Sequence, residues 1–147
     1  MFKKILIPTD GSVFGHDALE QGLNLAKMCG GEVTFLFAVE NPYQPFQNYA
    51  TQPREYFDRL MAEYKTRAEL ALGRISEEAA ISGVQARALI VEADPIPAIL
   101  SAAREHDLVV MATHGRTGLD RMLMGSVTET VLHSCTTPVL VVRGASA

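Results

Sequence analysis

Residues 5–12 of the chain have the sequence ILIPTDGS, in which three apolar residues are followed at once by a turn-forming segment. Ile5, Leu6 and Ile7 show no alternation of apolar and polar character, which is typical of a strand covered on both faces. Pro8 and the residues after it end the strand and begin a loop. This stretch therefore predicts a central strand of a parallel sheet with a loop at its carboxyl end.

The residues that follow change to a helical spacing. Between residues 13 and 29, apolar side chains recur every three or four positions, and two consecutive glycines then end the pattern. Residues 33–39, VTFLFAV, are rich in β-branched and aromatic side chains and predict a second strand. Strand, helix and strand together form a first crossover unit.

The same alternation continues to the end of the chain. Asp94 is suited to cap a helix that has Pro95 in its first turn. Residues 41–53 hold three prolines and show no periodicity, so they predict a loop. Further helices are predicted over 54–82, from 95 onward and over 126–134, and further strands over 88–91, 108–112 and 139–142.

Alternating strands and helices predict an α/β fold with right-handed crossovers. We expect residues 1–147 to form one domain, a doubly wound, Rossmann-like sheet of five parallel strands in the order 3-2-1-4-5, with helices on both faces. The strand at 139–142 is uniformly apolar and comes last, which places it at a sheet edge. Because an exposed apolar edge invites pairing, we predict a homodimer formed through this strand.

Composition and charge argue against several functions. The 147 residues carry a net charge of −4, and no basic stripe suited to nucleic acid is visible. No apolar run approaches the roughly 18 residues of a membrane span, and the apolar segment near the start is too short for a signal peptide, so we expect a cytoplasmic protein. Cys29 and Cys135 are far apart in sequence and are expected to be reduced, mostly buried thiols.

Doubly wound sheets bind ligands beyond the carboxyl ends of their strands, where the winding reverses. The first and fourth strands are the most apolar and are the expected central pair. The loop at 8–12 should therefore face the loop that begins at His114 and continues to Gly125 and Ser126. These two loops are also the richest in glycine and hydroxyl residues.

The second loop has the composition of a phosphate site. Gly115 and Gly118 can expose backbone amides, and Arg116 offers a fork suited to phosphate oxygens. Gly125 and Ser126 begin a helix whose free amides and dipole attract anions. The alternative is that the glycines only form turns and that Gly125-Ser126 is an ordinary helix cap.

The facing loop contributes a carboxylate. Asp10 could accept a hydrogen bond from a ribose hydroxyl or hold a divalent cation, or it could simply cap the following helix.

These segments, in this order and spacing, resemble the universal stress protein family over about residues 2 to 143. The resemblance is carried by ILIPTDGS at 5–12, LVVMATHGRTGL at 108–119, GSVTE at 125–129 and PVLVVR at 138–143. In the ATP-binding branch of that family the motif is G-x2-G-x9-G-S/T, which falls here on Ala112, Gly115, Gly125 and Ser126. Alanine replaces the first glycine, and a positive φ at this position would cost alanine roughly 1 kcal/mol or more.

The resemblance implies ATP as the ligand, accompanied by Mg²⁺, with the adenine against the main chain at the end of the second strand and the adenosine beside the first loop. The loop chemistry and the resemblance together give the candidate contact residues, among which His114 could contact phosphate or be a loop histidine with no ligand role: Pro8, Thr9, Asp10, Ala38, Val39, Ala112, His114, Gly115, Arg116, Gly118, Gly125, Ser126 and Val127.

The predicted function is an ATP-responsive dimer of the stress response rather than an enzyme. The sequence contains no Walker A loop and no evident pair of nucleophile and base. Two alternatives stay open. One is a nucleotide-free dimer that acts through protein contacts, which Ala112 favours. The other is a slow ATPase or an adenylating enzyme, against which residues 9–12 lack the paired glycines of the pyrophosphatase-type loop.

Overall fold

The computed structural model describes residues 1–11, 15–40, 54–113 and 125–143. Strands and helices alternate along the chain, as the sequence pattern predicts. In chain order the elements are β1 (Lys4–Pro8), α1 (His16–Cys29), β2 (Glu32–Val39), α2 (Arg54–Ser82), β3 (Gln85–Glu92), α3 (Pro95–Ala103), β4 (Leu108–Ala112), α4 (Ser126–Ser134) and β5 (Val139–Val142).

The five strands form one sheet in the order β3-β2-β1-β4-β5, and every neighbouring pair is parallel. The predicted fold class and strand order are therefore confirmed. Pro8 pairs with Leu36 on one side of β1, and Leu6 pairs with Val109 on the other. Because β1 lies between β2 and β4, the carboxyl ends of these three strands meet at the same edge of the sheet.

Side chains of the sheet point alternately into two apolar layers. Ile5, Ile7 and Phe35 pack with α1 and α2, whereas Leu6 and Val109 pack with α3 and α4. All five are almost fully buried. The unbroken apolar run of β1 thus reflects burial on both faces, as expected for a strand at the centre of a doubly wound sheet.

Two boundaries differ from the sequence prediction. β3 spans Gln85–Glu92 rather than 88–91, because it pairs with β2 over eight residues although polar side chains interrupt its apolar pattern. One of them, Arg87, donates from Nε to the hydroxyl of Thr34 at 3.1 Å, so a polar residue is accommodated within the strand. α1 begins at His16, with Gly15 at its N-cap, rather than at residue 13.

The predictions for the helix cap at Asp94, the cysteines and the loop at 41–53 have different outcomes. Asp94 caps α3 as predicted, accepting from the Ile96 amide at 3.1 Å. Cys29 and Cys135 are free and partly exposed, in keeping with the expected reduced, mostly buried thiols, and each lies at the end of a helix. The predicted loop at 41–53 lies outside the described residues. No helix in the described ranges has the length and apolar character needed to cross a membrane.

Candidate functional site

The loop after β1 stays close to the sheet before it turns away. The Thr9 amide donates to the Leu36 carbonyl at 2.9 Å, so the chain continues to pair with β2 just beyond the strand. The Gly11 amide donates to the Thr9 hydroxyl at 3.1 Å, and Gly11 has a φ of 78°, a conformation that favours glycine. Pro8, Thr9 and Asp10 are all partly exposed at this edge.

Two hydrogen bonds hold the start of α4 against the end of β4. The Gly125 amide donates to the Thr113 carbonyl at 2.5 Å, and the buried Thr128 hydroxyl donates to the Ala112 carbonyl at 2.8 Å. The chain leaves the sheet after Thr113 and returns to the same point at Gly125. Because β4 is the neighbour of β1, these bonds place the start of α4 beside the strand end that carries Asp10.

The first turn of α4 has amides that no described side chain caps. Gly125 is the N-cap in an extended conformation, with φ −62° and ψ 149°, and within the described residues no side chain caps the helix. The first helical bond runs from the Glu129 amide to the Gly125 carbonyl at 2.9 Å. The amides of Ser126, Val127 and Thr128 therefore precede the helical ladder, and together with the helix dipole they favour an anion. The exposed Glu129 carboxylate in the same turn opposes that preference.

Ala112, which stands where the family motif has glycine, adopts an ordinary backbone conformation. It ends β4, and no described residue other than glycine has a positive φ. Its methyl group packs with the core layer of α1 and α2, whereas the preceding Met111 packs with that of α3 and α4. The alanine is therefore unstrained, and its methyl group is directed away from the sheet face on which α4 lies.

Ala38 and Val39, the two residues predicted to contact adenine at the end of β2, differ in their main-chain hydrogen bonds. The Val39 carbonyl already accepts from the Ala93 amide at 3.2 Å, on the β3 side of the strand. Main-chain groups of alternate residues in a strand point to opposite neighbours, so those of Ala38 point toward β1, as those of Leu36 do. The ladder between β1 and β2 ends at Thr9, and within the described ranges no backbone partner is found for Ala38.

The structure thus brings most of the predicted residues to one edge of the sheet. Pro8, Thr9 and Asp10 follow β1, Ala38 and Val39 end β2, Ala112 ends β4, and Gly125, Ser126 and Val127 begin α4. The remaining predicted residues lie outside the described ranges and stay predictions: His114, Gly115, Arg116 and Gly118.

Two clusters of side chains near this edge were not predicted from the sequence. The potential ligand atoms of His16, Asp17 and Glu20 lie within 4.8 Å of one another at the start of α1, where the His16 and Glu20 side chains are exposed. Farther along α2, Arg74 and Glu78 line a cavity beside α1. Only the i, i+4 spacing of the pairs His16–Glu20 and Arg74–Glu78 could have indicated them, and that spacing is common on exposed helices.

Comparison with protein-family models matches residues 1–143 to the universal stress protein family. The universal stress protein MJ0531 of Methanocaldococcus jannaschii is 36% identical over 146 residues, a match that covers 97% of this chain and 83% of that protein. MJ0577, from the same organism, superimposes with a TM-score of 0.85 at 29% identity and covers 100% of this chain and 99% of that one.

A more distant solved structure, a universal stress protein in complex with cAMP, superimposes with a TM-score of 0.67 at 21% identity and covers 98% of both chains. At this identity the likeness extends to the fold.

Proposed function

This chain belongs to the universal stress protein family, and from that premise we propose that it binds ATP, with Mg²⁺, at the carboxyl edge of the sheet between β1 and β4. The observation that carries the proposal is the fastening of the α4 start to the end of β4. It sets three amides, which no described residue caps, beside the loop that holds Asp10. We propose a binding protein of the cytoplasm that responds to nucleotide, rather than an enzyme.

Each part of the edge has a separate task in this proposal. The amides of Ser126 and Val127 hold the phosphates, assisted by the loop residues Gly115 and Arg116. The main chain of Ala38 pairs with the adenine, since its N–H and C=O lie beyond the end of the β1 ladder.

Asp10 accepts from the ribose or binds the Mg²⁺ ion that accompanies the phosphates. The presence of cAMP in a protein of the same fold supports an adenine nucleotide as the class of ligand.

Substitution of Ser126 by proline tests the amide contacts directly. Ser126 occupies the first helical position, where proline is well tolerated, and Gly125 already has the extended backbone that precedes proline. Ser126→Pro therefore removes one phosphate-binding amide and leaves the helix in place. Loss of one charge-assisted hydrogen bond of about 1.5–3 kcal/mol should weaken ATP binding by roughly 10- to 150-fold.

Ser126→Ala is the matched control, because it removes the hydroxyl and keeps the amide. Isothermal titration of both variants and the unmodified protein with Mg-ATP separates the two groups. Equal affinity of Ser126→Pro and Ser126→Ala would contradict the proposed role of the amide.

Thermal unfolding tests whether ATP binds at all. A Kd near 10 µM at 1 mM ATP would stabilise the protein by about 2.7 kcal/mol, which corresponds to roughly 5–11 °C for a chain of this size. No increase in Tm, together with purified protein free of nucleotide, would favour a nucleotide-free dimer. Phosphate release from Mg-ATP above the buffer rate would favour the slow ATPase.

We further propose that β5 pairs with its copy in a homodimer. β5 is an edge strand of the sheet, and Leu140 at its centre is 36% exposed. An apolar side chain on an unpaired edge is an unfavourable surface for a monomer, and a two-fold partner would cover it.

A further inference from the structure

A cavity of about 260 Å³ lies on the other side of β1 from α4, between the sheet and the helices α1 and α2. Its inner walls are apolar. Ile7 and Phe35 line it from the sheet, Leu19 lines it from α1, and Ala71 and Ile75 line it from α2. The first three of these side chains are buried in the core layer of this face.

The rim of the cavity is charged. Arg74 on α2 forms no ion pair with any described residue, so its guanidinium is available. Glu78, one turn farther along α2, contacts His16 Nε2 of α1 with its Oε1 at 3.5 Å. The Glu78 carboxylate is thus directed to the imidazole, whereas the Arg74 guanidinium has no carboxylate partner among the described residues.

From this combination we propose that the cavity binds a small monocarboxylate with a compact apolar body, of which phenylacetate is the simplest aromatic example. A cavity of about 150 Å³ lined by apolar side chains holds a benzene ring. A volume of about 260 Å³ leaves room for a ring and a short acid side chain. The ring would contact the apolar walls, and the carboxylate would receive hydrogen bonds from the Arg74 guanidinium.

The cavity shares Thr9 with the proposed nucleotide site but is otherwise distinct from it. Gly11 also borders the cavity, whereas Asp10, Ala38 and the start of α4 do not. The inference therefore does not rest on ATP binding, and a protein that failed to bind ATP would still be expected to bind the carboxylate.

Isothermal titration with three probes of similar shape tests the assignment: phenylacetate, 2-phenylethanol and phenethylammonium. We expect phenylacetate to bind most tightly. 2-Phenylethanol should bind only about three- to tenfold more weakly, because solvent partly screens the Arg74 guanidinium. Phenethylammonium should bind most weakly, because its charge has the same sign as that of Arg74. Arg74→Gln should remove the preference for the acid over the alcohol. Arg67→Gln, an exposed arginine on the same helix outside the cavity, should leave the preference unchanged.

Two further variants keep the test decisive. Ala71→Met should fill the cavity and abolish binding of all three probes, whereas Glu78→Gln should strengthen phenylacetate binding by removing a nearby negative charge. The inference is overturned if phenylacetate does not bind the unmodified protein, or if Arg74→Gln binds it as tightly. It is also overturned if Mg-ATP displaces it competitively, because the cavity would then be part of the nucleotide site.

Discussion

Substitution of Gly22 by alanine tests how closely α1 approaches the central strand. A Cβ at Gly22 would lie 2.3 Å from Ile7 Cδ1 and 3.1 Å from Ile7 Cγ1. Ile7 is 2% exposed, so its side chain has to rearrange within the core or α1 has to move outward. Overpacking of this kind costs about 1–3 kcal/mol, whereas replacing a glycine inside a helix by alanine gains about 1 kcal/mol. We expect Gly22→Ala to destabilise the protein by about 1 kcal/mol net.

Gly73 provides the matched control. It also lies inside a helix, α2, and a Cβ there would have no neighbouring atom within 4 Å. Gly73→Ala should therefore show only the gain in helix propensity, about 1 kcal/mol. The two variants should differ by about 2 kcal/mol, or roughly 4–8 °C in Tm.

The contact itself can be isolated by a double-mutant cycle with Ile7→Val, which removes the Cδ1 atom. Ile7→Val alone should cost about 1 kcal/mol, and the double variant should recover about 1–2 kcal/mol relative to the sum of the single effects. Chemical denaturation of the four proteins gives these free energies. A Gly22→Ala protein as stable as Gly73→Ala would refute the reasoning, because Ile7 would then have turned into the adjoining cavity without cost.

Three other predictions concern the sheet edges and the helix starts. The amides of Lys4 and Lys3, at the start of β1, donate to the Asp107 carboxylate and lower its pKa. The charged form of Asp107 therefore stabilises the fold above the unfolded-state pKa, and this contribution is lost as the pH falls through the lowered value. Asp107→Asn should reduce Tm at pH 7, and the difference in Tm from the unmodified protein should shrink below about pH 4. Thr128→Val removes the hydroxyl that donates to the Ala112 carbonyl and should cost about 0.5–1.5 kcal/mol by denaturation, whereas Thr128→Ser should cost less because it keeps the hydroxyl. Leu140→Lys should convert the proposed dimer to a species of one chain mass, 16.0 kDa, in light scattering, while Ala88→Lys on the opposite edge strand should not; an unmodified protein that already has that mass would rule out the dimer.

The sequence pattern was sufficient to predict those strands whose two faces are both buried. The continuous apolar runs of β1 and β4 predict central strands because both of their faces are covered, and the structure confirms this. β3 was shortened in the prediction because it lies at the sheet edge and carries polar residues such as Gln85 and Arg87. Pairing with β2, which is a non-local contact, determines its length, and local composition does not report it.

The candidate site was predictable in outline for a similar reason. Parallel strands place their carboxyl ends together, so the loops after β1 and β4 had to meet once the strand order was known. The backbone angles and main-chain hydrogen bonds of individual residues could not be predicted from the sequence. Ala112 has a negative φ, and among the described residues the Val39 carbonyl is engaged and the Ala38 carbonyl is not; both facts depend on strand register rather than on residue type. The cavity beside α2 depends on the packing of two helices that are distant in sequence.

The hydrogen bond between Gly125 and Thr113 closes the intervening eleven residues into a ring whose two ends belong to the scaffold. The entropy of closing such a ring grows only with the logarithm of its length, and doubling the length costs about 0.6 kcal/mol. Insertions between these two residues should therefore leave the sheet and α4 intact. The scaffold can thus tolerate new sequences between Thr113 and Gly125, and ligand recognition by this segment is free to change while the fold is kept.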